Sequence, residues 1–437
     1  MTSMGARPFY YLWNSGCQMN QADSDRLAQG LERRGLAPTR DPKQAAVLLL
    51  NTCVVRQSAE DRALGRMHSL KPLVRDGSRT LLVMGCLVDS PEAMRQRFPF
   101  VDGFFRPSEI GQVLDHVDRW LEGHEPACTH DGELITPVRV TDMVPISYGC
   151  DHHCTYCIVT IRRGPQRSRA IPEIVRDVEG LVARGSREIT LLGQNVDAYG
   201  SDLPDHPDLA DILYAIHDIP DLWRIRFLTS HPREMSQRII DAVGALPKVC
   251  ECWELAVQSG DDAMLKRMAR GYTVERFCDL VGRIRQATPD CAINTDIIVG
   301  FCGESEAEFE NTMALLRETR FDVVHVAAYS VRPSTPAARW DDDIPQAVKD
   351  ARRVAVEKLQ EGIAAEINAA NLGQEVEILV DGRQKGRWRG RTRQGKLVFF
   401  ESGEDWLGRL AIVHIDWTGP WSMIGTVVAD AEPPSAR

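Results

Sequence analysis

The sequence predicts a mainly α/β chain ending in a small all-β module, and three observations carry that prediction. Short apolar runs alternate with helical patterns over most of the length, as in parallel sheets covered by helices. After Gly373 the pattern changes to short alternating strands. Cysteines recur where strands end: Cys150, Cys154 and Cys157 at spacing C-x3-C-x2-C, and Cys17, Cys53 and Cys86 each after a predicted strand. At 437 residues the chain exceeds one ordinary core, so two to four domains are expected.

Composition narrows the class. With 43% hydrophobic and 26% charged residues the chain reads as globular. No apolar run approaches the ~20 residues of a membrane span, and Arg7-Pro8-Phe9-Tyr10-Tyr11 opens without a signal-peptide core. Twelve cysteines without an export signal favour metal or redox chemistry over a disulfide framework. A cytoplasmic protein with no membrane partner is therefore expected. The net charge of −10 gives no global attraction to nucleic acid, so any such contact must come from local basic patches.

In order along the chain, Phe9–Trp13 reads as a strand, and Asn20–Arg34 as a helix closed by Gly35. Ala45–Leu50 and Leu81–Met84 are uninterrupted apolar runs, the mark of strands buried on both faces. A helix lies between them from Ser58 to Leu70, and a fourth strand–helix pair begins near Val101. Cys17, Cys53 and Cys86 thus fall at the carboxyl ends of parallel strands, where open sheets build their sites. A single such cysteine would read as a small buried hydrophobe; three at equivalent ends favour a second three-cysteine cluster. Gly123–Asp142 lacks periodicity and reads as a linker, with Cys128 in it given no role.

A second series follows, with strands at Val144–Ser147, Ile189–Leu192, Ile225–Leu228, Trp253–Val257, Ala292–Val299 and Val323–Tyr329. Helices between them include Pro172–Arg184, Met235–Leu246, Val274–Gln286 and Glu306–Arg317. Six βα repeats suit a partial barrel, with its site at the strand carboxyl ends. There lie the Cys150 triad, Gln194-Asn195, Ser230-His231, Gln258-Ser259 and the Gly300–Glu304 turn. Three close thiolates leave one iron of a 4Fe–4S cube open to another ligand. A zinc knuckle completed by His152 or His153 is the competing reading. Cys250, Cys252, Cys278, Cys291 and Cys302 show no cluster spacing.

A helix from Gln346 to Ala370 leads to strands at Val376–Val380, Leu397–Phe400, Ala411–Asp416 and Ile424–Val428, a small barrel or sandwich. Arg383, Lys385, Arg387, Arg389, Arg391, Arg393 and Lys396 alternate without an acid around Trp388, a pattern suited to phosphate contacts and base stacking. A charged, aggregation-resistant edge strand would look similar. Arg162, Arg163, Arg167 and Arg169, just past the cysteine loop, read equally as an RNA grip or a solvated face.

These residues together resemble a known family. The C-x3-C-x2-C trio is similar to the radical S-adenosylmethionine signature, and the whole chain resembles the methylthiotransferases, closest to their tRNA branch, the 2-methylthio-N6-dimethylallyladenosine synthases. The resemblance rests on Gly16-Cys17-Gln18-Met19-Asn20, Asn51-Thr52-Cys53, Leu192-Gly193-Gln194-Asn195, Gln258-Ser259-Gly260, Thr295–Phe301 and Gly390-Arg391-Thr392. It implies a methylthiotransferase domain over 7–123, a linker over 124–142, a radical SAM core over 143–370 and an RNA-binding TRAM domain over 371–434. It implies two [4Fe–4S] clusters, one on Cys150, Cys154 and Cys157 for radical generation from S-adenosylmethionine, one on Cys17, Cys53 and Cys86 for the inserted sulfur. Tyr156, Gln194, Gln258, Arg270 and Asp296 are the implied contacts to S-adenosylmethionine, with Arg270 suited to its carboxylate. Arg387, Arg389, Arg391, Arg162 and Arg163 are the expected RNA contacts. The implied reaction adds sulfur and a methyl group at C2 of N6-isopentenyladenosine beside the anticodon. It needs the tRNA anticodon stem-loop, an electron donor such as a flavodoxin or ferredoxin, and a sulfur source. Competing readings are N6-threonylcarbamoyladenosine in tRNA, a ribosomal-protein aspartate, and a non-catalytic metal-stabilised RNA-binding protein. The sequence departs from the family at Thr160, Ala256 and Cys302, where prolines are expected, and at Ser334, where a glycine is.

Overall fold

The computed structural model describes residues 7–54, 57–124, 129–130 and 139–433. Cys128 and most of the predicted linker lie outside them. The chain forms two compact units, one of Met1–Pro137 with Tyr148–Cys150 and Ile158–Pro165, the other of Val138–Ser147, Asp151–Cys157 and Gln166–Arg437.

In the first unit, β1 (Arg7–Asn14), β2 (Ala37–Pro38), β3 (Val47–Thr52), β4 (Thr80–Gly85) and β5 (Gly103–Phe105) form a parallel sheet in the order β2-β1-β3-β4-β5. A short antiparallel strand, β6 (Thr129–His130), pairs with β1. Every residue of β3 and β4 is buried, which is why both read as unbroken apolar runs. Alternation sends Leu48, Leu50, Leu81 and Val83 to one apolar cluster and Val47, Leu49, Leu82 and Met84 to another. Helix Gln57–Leu70 covers the first through Ala63, Met67 and Leu70, while helices Gln18–Arg33 and Ile110–Gly123 cover the second through Leu27, Leu31, Val113 and Val117.

Two short strands, β8 (Ser147–Tyr148) and β9 (Arg167–Ser168), flank the cysteine loop in sequence. The second unit's main strands are β7 (Thr141–Pro145), β10 (Glu188–Leu192), β11 (Arg224–Leu228), β12 (Cys252–Glu254), β13 (Ala292–Val299) and β14 (Val323–Ala328). They pair in parallel as β7-β10-β11 and β12-β13-β14, and isolated parallel bridges, Ile225 to Val249 and Ser230 to Leu255, join the two halves. The result is the open six-strand arc that the βα count predicts. Its core includes Ile189, Leu191, Ile225, Phe227, Trp253, Ile293 and Ile297, faced by helix residues such as Ile174, Val178, Ile239 and Phe277.

The C-terminal β15 (Glu375–Gln384), β16 (Arg387–Arg391), β17 (Leu397–Phe400), β18 (Leu410–Thr418) and β19 (Met423–Asp430) close into a barrel in the order β15-β16-β17-β19-β18. The sequence predicts four of these strands; β16, hidden in the basic stretch, adds the fifth. Arg387, Arg389 and Arg391 point outward while Trp388 and Gly390 are buried. The barrel is anchored to the parallel strands. Arg224 donates to the Arg391 carbonyl at 2.6 Å and pairs with Glu377 at 2.7 Å. Arg226 donates to the Arg393 and Thr392 carbonyls. Arg393 grips Glu251 at 2.6 Å, and Lys396 pairs with Asp322 at 2.7 Å. Two cations of the basic stretch are therefore taken by intramolecular anchors. No helix among the described residues is long and apolar enough to cross a membrane.

Candidate functional site

In the first unit, the register of β1, β3 and β4 brings three cysteine-bearing loops to one edge of the sheet: Asn14 pairs with Asn51, and Thr52 with Gly85. Cys17 precedes the helix that starts at Gln18, while Cys53 and Cys86 directly follow β3 and β4. Cys53 and Cys86 are buried and Cys17 is exposed. Gly16, at φ +137°, packs so close that an added Cβ would stand 2.5 Å from the Cys53 Cβ. A hydrogen bond with Cys53 lowers the Cys17 thiol to about 6, helped by the positive charge of Arg163. Burial instead pushes the Cys86 thiol up, with Arg163 opposing it. Soft thiolates beside a fixed cation suit an anionic iron–sulfur cluster.

In the second unit, the cysteine loop is pinned to the barrel. The Thr155 N–H donates to the Met268 carbonyl, its hydroxyl to the Arg267 carbonyl, and the Ala337 N–H to the Thr155 carbonyl. Arg270, 4% exposed, places Nη1 3.5 Å from Cys154 Sγ and 3.4 Å from the Tyr156 hydroxyl. Its other nitrogens donate to the Ala256 carbonyl and the Tyr272 hydroxyl. Tyr156 packs edge-on against Phe301, and burial holds its phenol well above its usual range. Gln258 has φ +74° and exchanges backbone bonds with Asp296 and Ile298, which carries both expected cofactor residues to one part of the strand ends. Gln194 is half-buried at the end of β10.

Polar atoms that lack a protein partner gather at these same strand ends. Both side-chain atoms of Asn195, the Ser147 hydroxyl and His231 Nε2 are buried without a hydrogen bond among the described residues. Such groups are costly unless a ligand or water satisfies them. Arg233 donates its N–H to His231 Nδ1 at 3.3 Å, so the neutral ring carries its proton on the orphaned Nε2. His152 stacks on His231 with centroids 4.1 Å apart and faces Glu234 at 3.4 Å. Burial, with Arg270, His152 and Arg233 nearby, drives the His231 ring down to about 2. Asp197, buried under bonds from the Ser230 hydroxyl and the His231 N–H, is pushed up to about 8 by burial. Asp197, His152, Arg233 and Glu234 border an open cavity of about 530 Å³. Among the described residues no three His, Cys, Asp or Glu side chains close on a single-ion site. His152 is engaged by His231 and Glu234.

Comparison with known proteins matches the radical SAM superfamily over residues 144–316, an uncharacterized protein family, UPF0004, over 10–106, and a TRAM domain over 369–428. The tRNA-2-methylthio-N(6)-dimethylallyladenosine synthase of Roseiflexus sp. (strain RS-1) is 48% identical, over 97% of this chain and 90% of its own. That of Herpetosiphon aurantiacus is 44% identical, over 96% of this chain and 98% of its own. The chain belongs to this family of radical SAM tRNA methylthiotransferases. An iron–sulfur cluster and S-adenosylmethionine are the cofactors that come with the radical SAM fold. Among solved structures, the radical S-adenosylmethionine methyltransferase TsrM from Kitasatospora setae shares the fold, at TM-score 0.57 and 12% identity over 76% of this chain and 74% of its own.

The chain's departures from the methylthiotransferase pattern now have a setting. Ser334 adopts φ +71°, the left-handed backbone where glycine is favoured. The Ala256 carbonyl receives Arg270 and Tyr272. Cys302 is buried with Phe301 and Tyr329, and Thr160 supplies the carbonyl that caps its short helix through the Gly164 N–H. The arginines past the cysteine loop need a correction. Arg163 is expected from the sequence to grip RNA, yet its side chain is 3% exposed and ion-paired with Asp23. Arg162 is 12% exposed and pairs with Asp89. Both are consumed within the first unit. Arg167 remains exposed, while Arg169 pairs with Asp177. Sequence reasoning missed Asp197, Ser147, and the two exposed indoles, Trp417 and Trp421, on the β18–β19 hairpin.

Proposed function

We propose that this protein inserts sulfur and a methyl group at C2 of N6-isopentenyladenosine beside the anticodon of tRNA. The observation that carries the reading is the convergence of Cys17, Cys53 and Cys86 on one sheet edge, in addition to the radical SAM trio. When bound, S-adenosylmethionine and the iron–sulfur clusters supply the radical that opens the C–H bond, and the sulfur and methyl group that replace the hydrogen. Cys150, Cys154 and Cys157 hold one [4Fe–4S] cluster; Cys17, Cys53 and Cys86 hold a second. Gln194, Gln258, Asp296, Tyr156 and Arg270 position S-adenosylmethionine. Asn195, Ser147 and His231 offer it, or the adenine, hydrogen-bonding atoms that nothing in the protein uses.

The domains run 7–123, 143–370 and 371–434, with a linker between the first two. In the last of them Arg387, Arg389 and Arg391 meet RNA phosphates from the outer face of β16. Arg387 holds the exposed Glu401 through a side chain 44% exposed, a pair weak enough to exchange for phosphate, while Arg389 keeps its bond to the largely covered Asp381 and meets phosphate as a half-exposed cation. Trp417 and Trp421, 51% and 58% exposed, offer faces for stacked bases. The protein works in the cytoplasm with a flavodoxin or ferredoxin as reductant and a separate sulfur source.

Two variants test the division of labour. Cys154→Ala removes a thiolate ligand of the radical site and should abolish production of 5′-deoxyadenosine. Cys53→Ala should retain that production with about half the iron, yet form no methylthio product. Loss of 5′-deoxyadenosine from a folded Cys53→Ala protein would overturn the assignment. Nucleoside mass spectrometry from cells lacking the protein identifies the substrate: loss of the methylthio group from isopentenyladenosine supports the reading, and loss from threonylcarbamoyladenosine refutes it.

A further inference from the structure

Arg163 lies in the chain segment that follows the radical SAM cysteines, but that segment, Ile158–Pro165, packs within the N-terminal unit. Its guanidinium is buried with Asp23, whose side chain is 1% exposed, at 3.3 Å. Nη2 donates to Asn20 Oδ1 at 2.7 Å, and Nη1 lies 3.4 Å from the Ser108 hydroxyl. Asn20 in turn donates to the Ser15 and Thr52 carbonyls, the residues beside the Cys17 and Cys53 loops. Cys17 Sγ lies 3.8 Å from Asn20 Oδ1, and Arg163 interacts electrostatically with both Cys17 and Cys86. The next residue, Gly164, accepts the Cys150 N–H at 3.2 Å. One short segment therefore presents a cation to the first trio and fixes the backbone of the first cysteine of the second.

A buried Arg–Asp pair alone roughly breaks even, because desolvating two charges offsets their attraction. Thiolates ligating a cluster add negative charge and change that balance. They make a permanently protonated guanidinium favourable here, and its planar fork can hold Asp23 and Asn20 at once. We propose that Arg163 is a positioning residue for the Cys17–Cys53–Cys86 site, acting as its fixed counter-charge and holding Asn20 against the loops that carry the thiolates. The inference rests on the reading that this trio binds its own cluster.

The test uses full-length, anaerobically reconstituted protein carrying Cys150→Ala, Cys154→Ala and Cys157→Ala, so that only the first site is loaded. Iron content and the midpoint potential, followed by electron paramagnetic resonance, are compared for Arg163, Arg163→Lys and Arg163→Met. Removing a positive charge disfavours the reduced, more negative state. Arg163→Met should move the potential to more negative values by about tenfold in the reduced-to-oxidised ratio, 59 mV for one electron. Arg163→Lys, which keeps the charge without the fork, should fall between the two. Loss of iron from Arg163→Met with retention in Arg163→Lys also supports the inference, as does loss from both with native circular dichroism. Full iron in both variants at an unmoved potential overturns it. No iron even with Arg163 intact would instead overturn the two-cluster reading, and so separates the two failures.

Discussion

Replacing Arg393 and Arg387 one at a time by alanine should divide the basic stretch of the C-terminal barrel into anchors and RNA-binding cations. Arg393 makes two bonds to Glu251, at 2.6 and 2.9 Å, and a third to the Val249 carbonyl at 2.6 Å. Its side chain and that of Glu251 are only 24% and 26% exposed. A charge-assisted fork of this kind contributes about 2 kcal/mol, and its loss leaves a mostly covered carboxylate without a partner. Arg387 makes a single bond to Glu401, 74% exposed, so its removal should cost less than about 0.5 kcal/mol. Hydrogen exchange at the β15–β18 amides measures the first quantity without assuming that the whole chain unfolds in one step. The salt dependence of tRNA binding measures the second, since each phosphate no longer neutralised by a side chain lowers the slope by ~0.9. Arg393→Ala should loosen the barrel and leave the slope unchanged; Arg387→Ala should do the reverse. A flattened slope with full protection in Arg393→Ala would refute the division.

Between pH 6.5 and 8 the Asp197 carboxyl should contribute stability that falls as pH rises, against an opposite contribution from the Cys17 thiol, lowered to about 6, which the unfolded chain still holds protonated. The folded-state carboxyl of Asp197, raised to about 8, there loses a proton that the unfolded chain has already released. The Asp197 share of the slope is ~1.4 kcal/mol per pH unit at most, and Asp197→Asn should remove it in chemical denaturation, leaving stability that rises with pH through Cys17. Below pH 6.5 His231, lowered to about 2, has the opposite slope, because the unfolded chain binds the proton that the folded one refuses. The two contributions should largely cancel there, with His152, Glu234, Arg233 and Arg270 as the surrounding charges, so His231→Gln should expose the Asp197 slope down to about pH 4. Gly16→Ala should displace Cys53, since its new Cβ would overlap the Cys53 Cβ and its φ of +137° disfavours any side chain. Iron content should drop while 5′-deoxyadenosine production continues; full iron would show that the loop gives way freely.

Where one residue pattern admits one environment, the sequence was easily read. Val47–Thr52 and Thr80–Gly85 had to be buried parallel strands because nothing polar interrupts them on either face until their ends. The cysteines that follow were then placed by strand polarity alone. Charged residues were opaque because a sequence shows a charge but not its counter-charge. Arg162 and Arg163 are adjacent in a run of arginines, yet their partners, Asp89 and Asp23, are distant in sequence. Arg224 and Arg226 alternate with Ile225 and Phe227, which ordinarily marks a half-solvated strand. Both arginines are buried instead, against Glu377 and the Arg391 carbonyl, and against Glu188 and the Thr392 and Arg393 carbonyls.

Strand polarity also separates the second unit's tasks. Arg224 opens β11, Glu251 immediately precedes β12, and Asp322 immediately precedes β14. All three anchor the C-terminal barrel, which is therefore attached toward the amino-terminal edge of the parallel strands. The unsatisfied Asn195 and His231 follow β10 and β11 at the opposite, carboxyl-terminal edge. Five residues of β11 at ~3.3 Å each put roughly 17 Å between those edges. An RNA bound by Arg387, Arg389 and Arg391 while presenting an adenine to His231 must span at least that length. A lone nucleoside cannot do so, whereas a folded stem-loop can. Removing the outward arginines should then weaken capture of the stem-loop and leave radical generation at the opposite edge untouched.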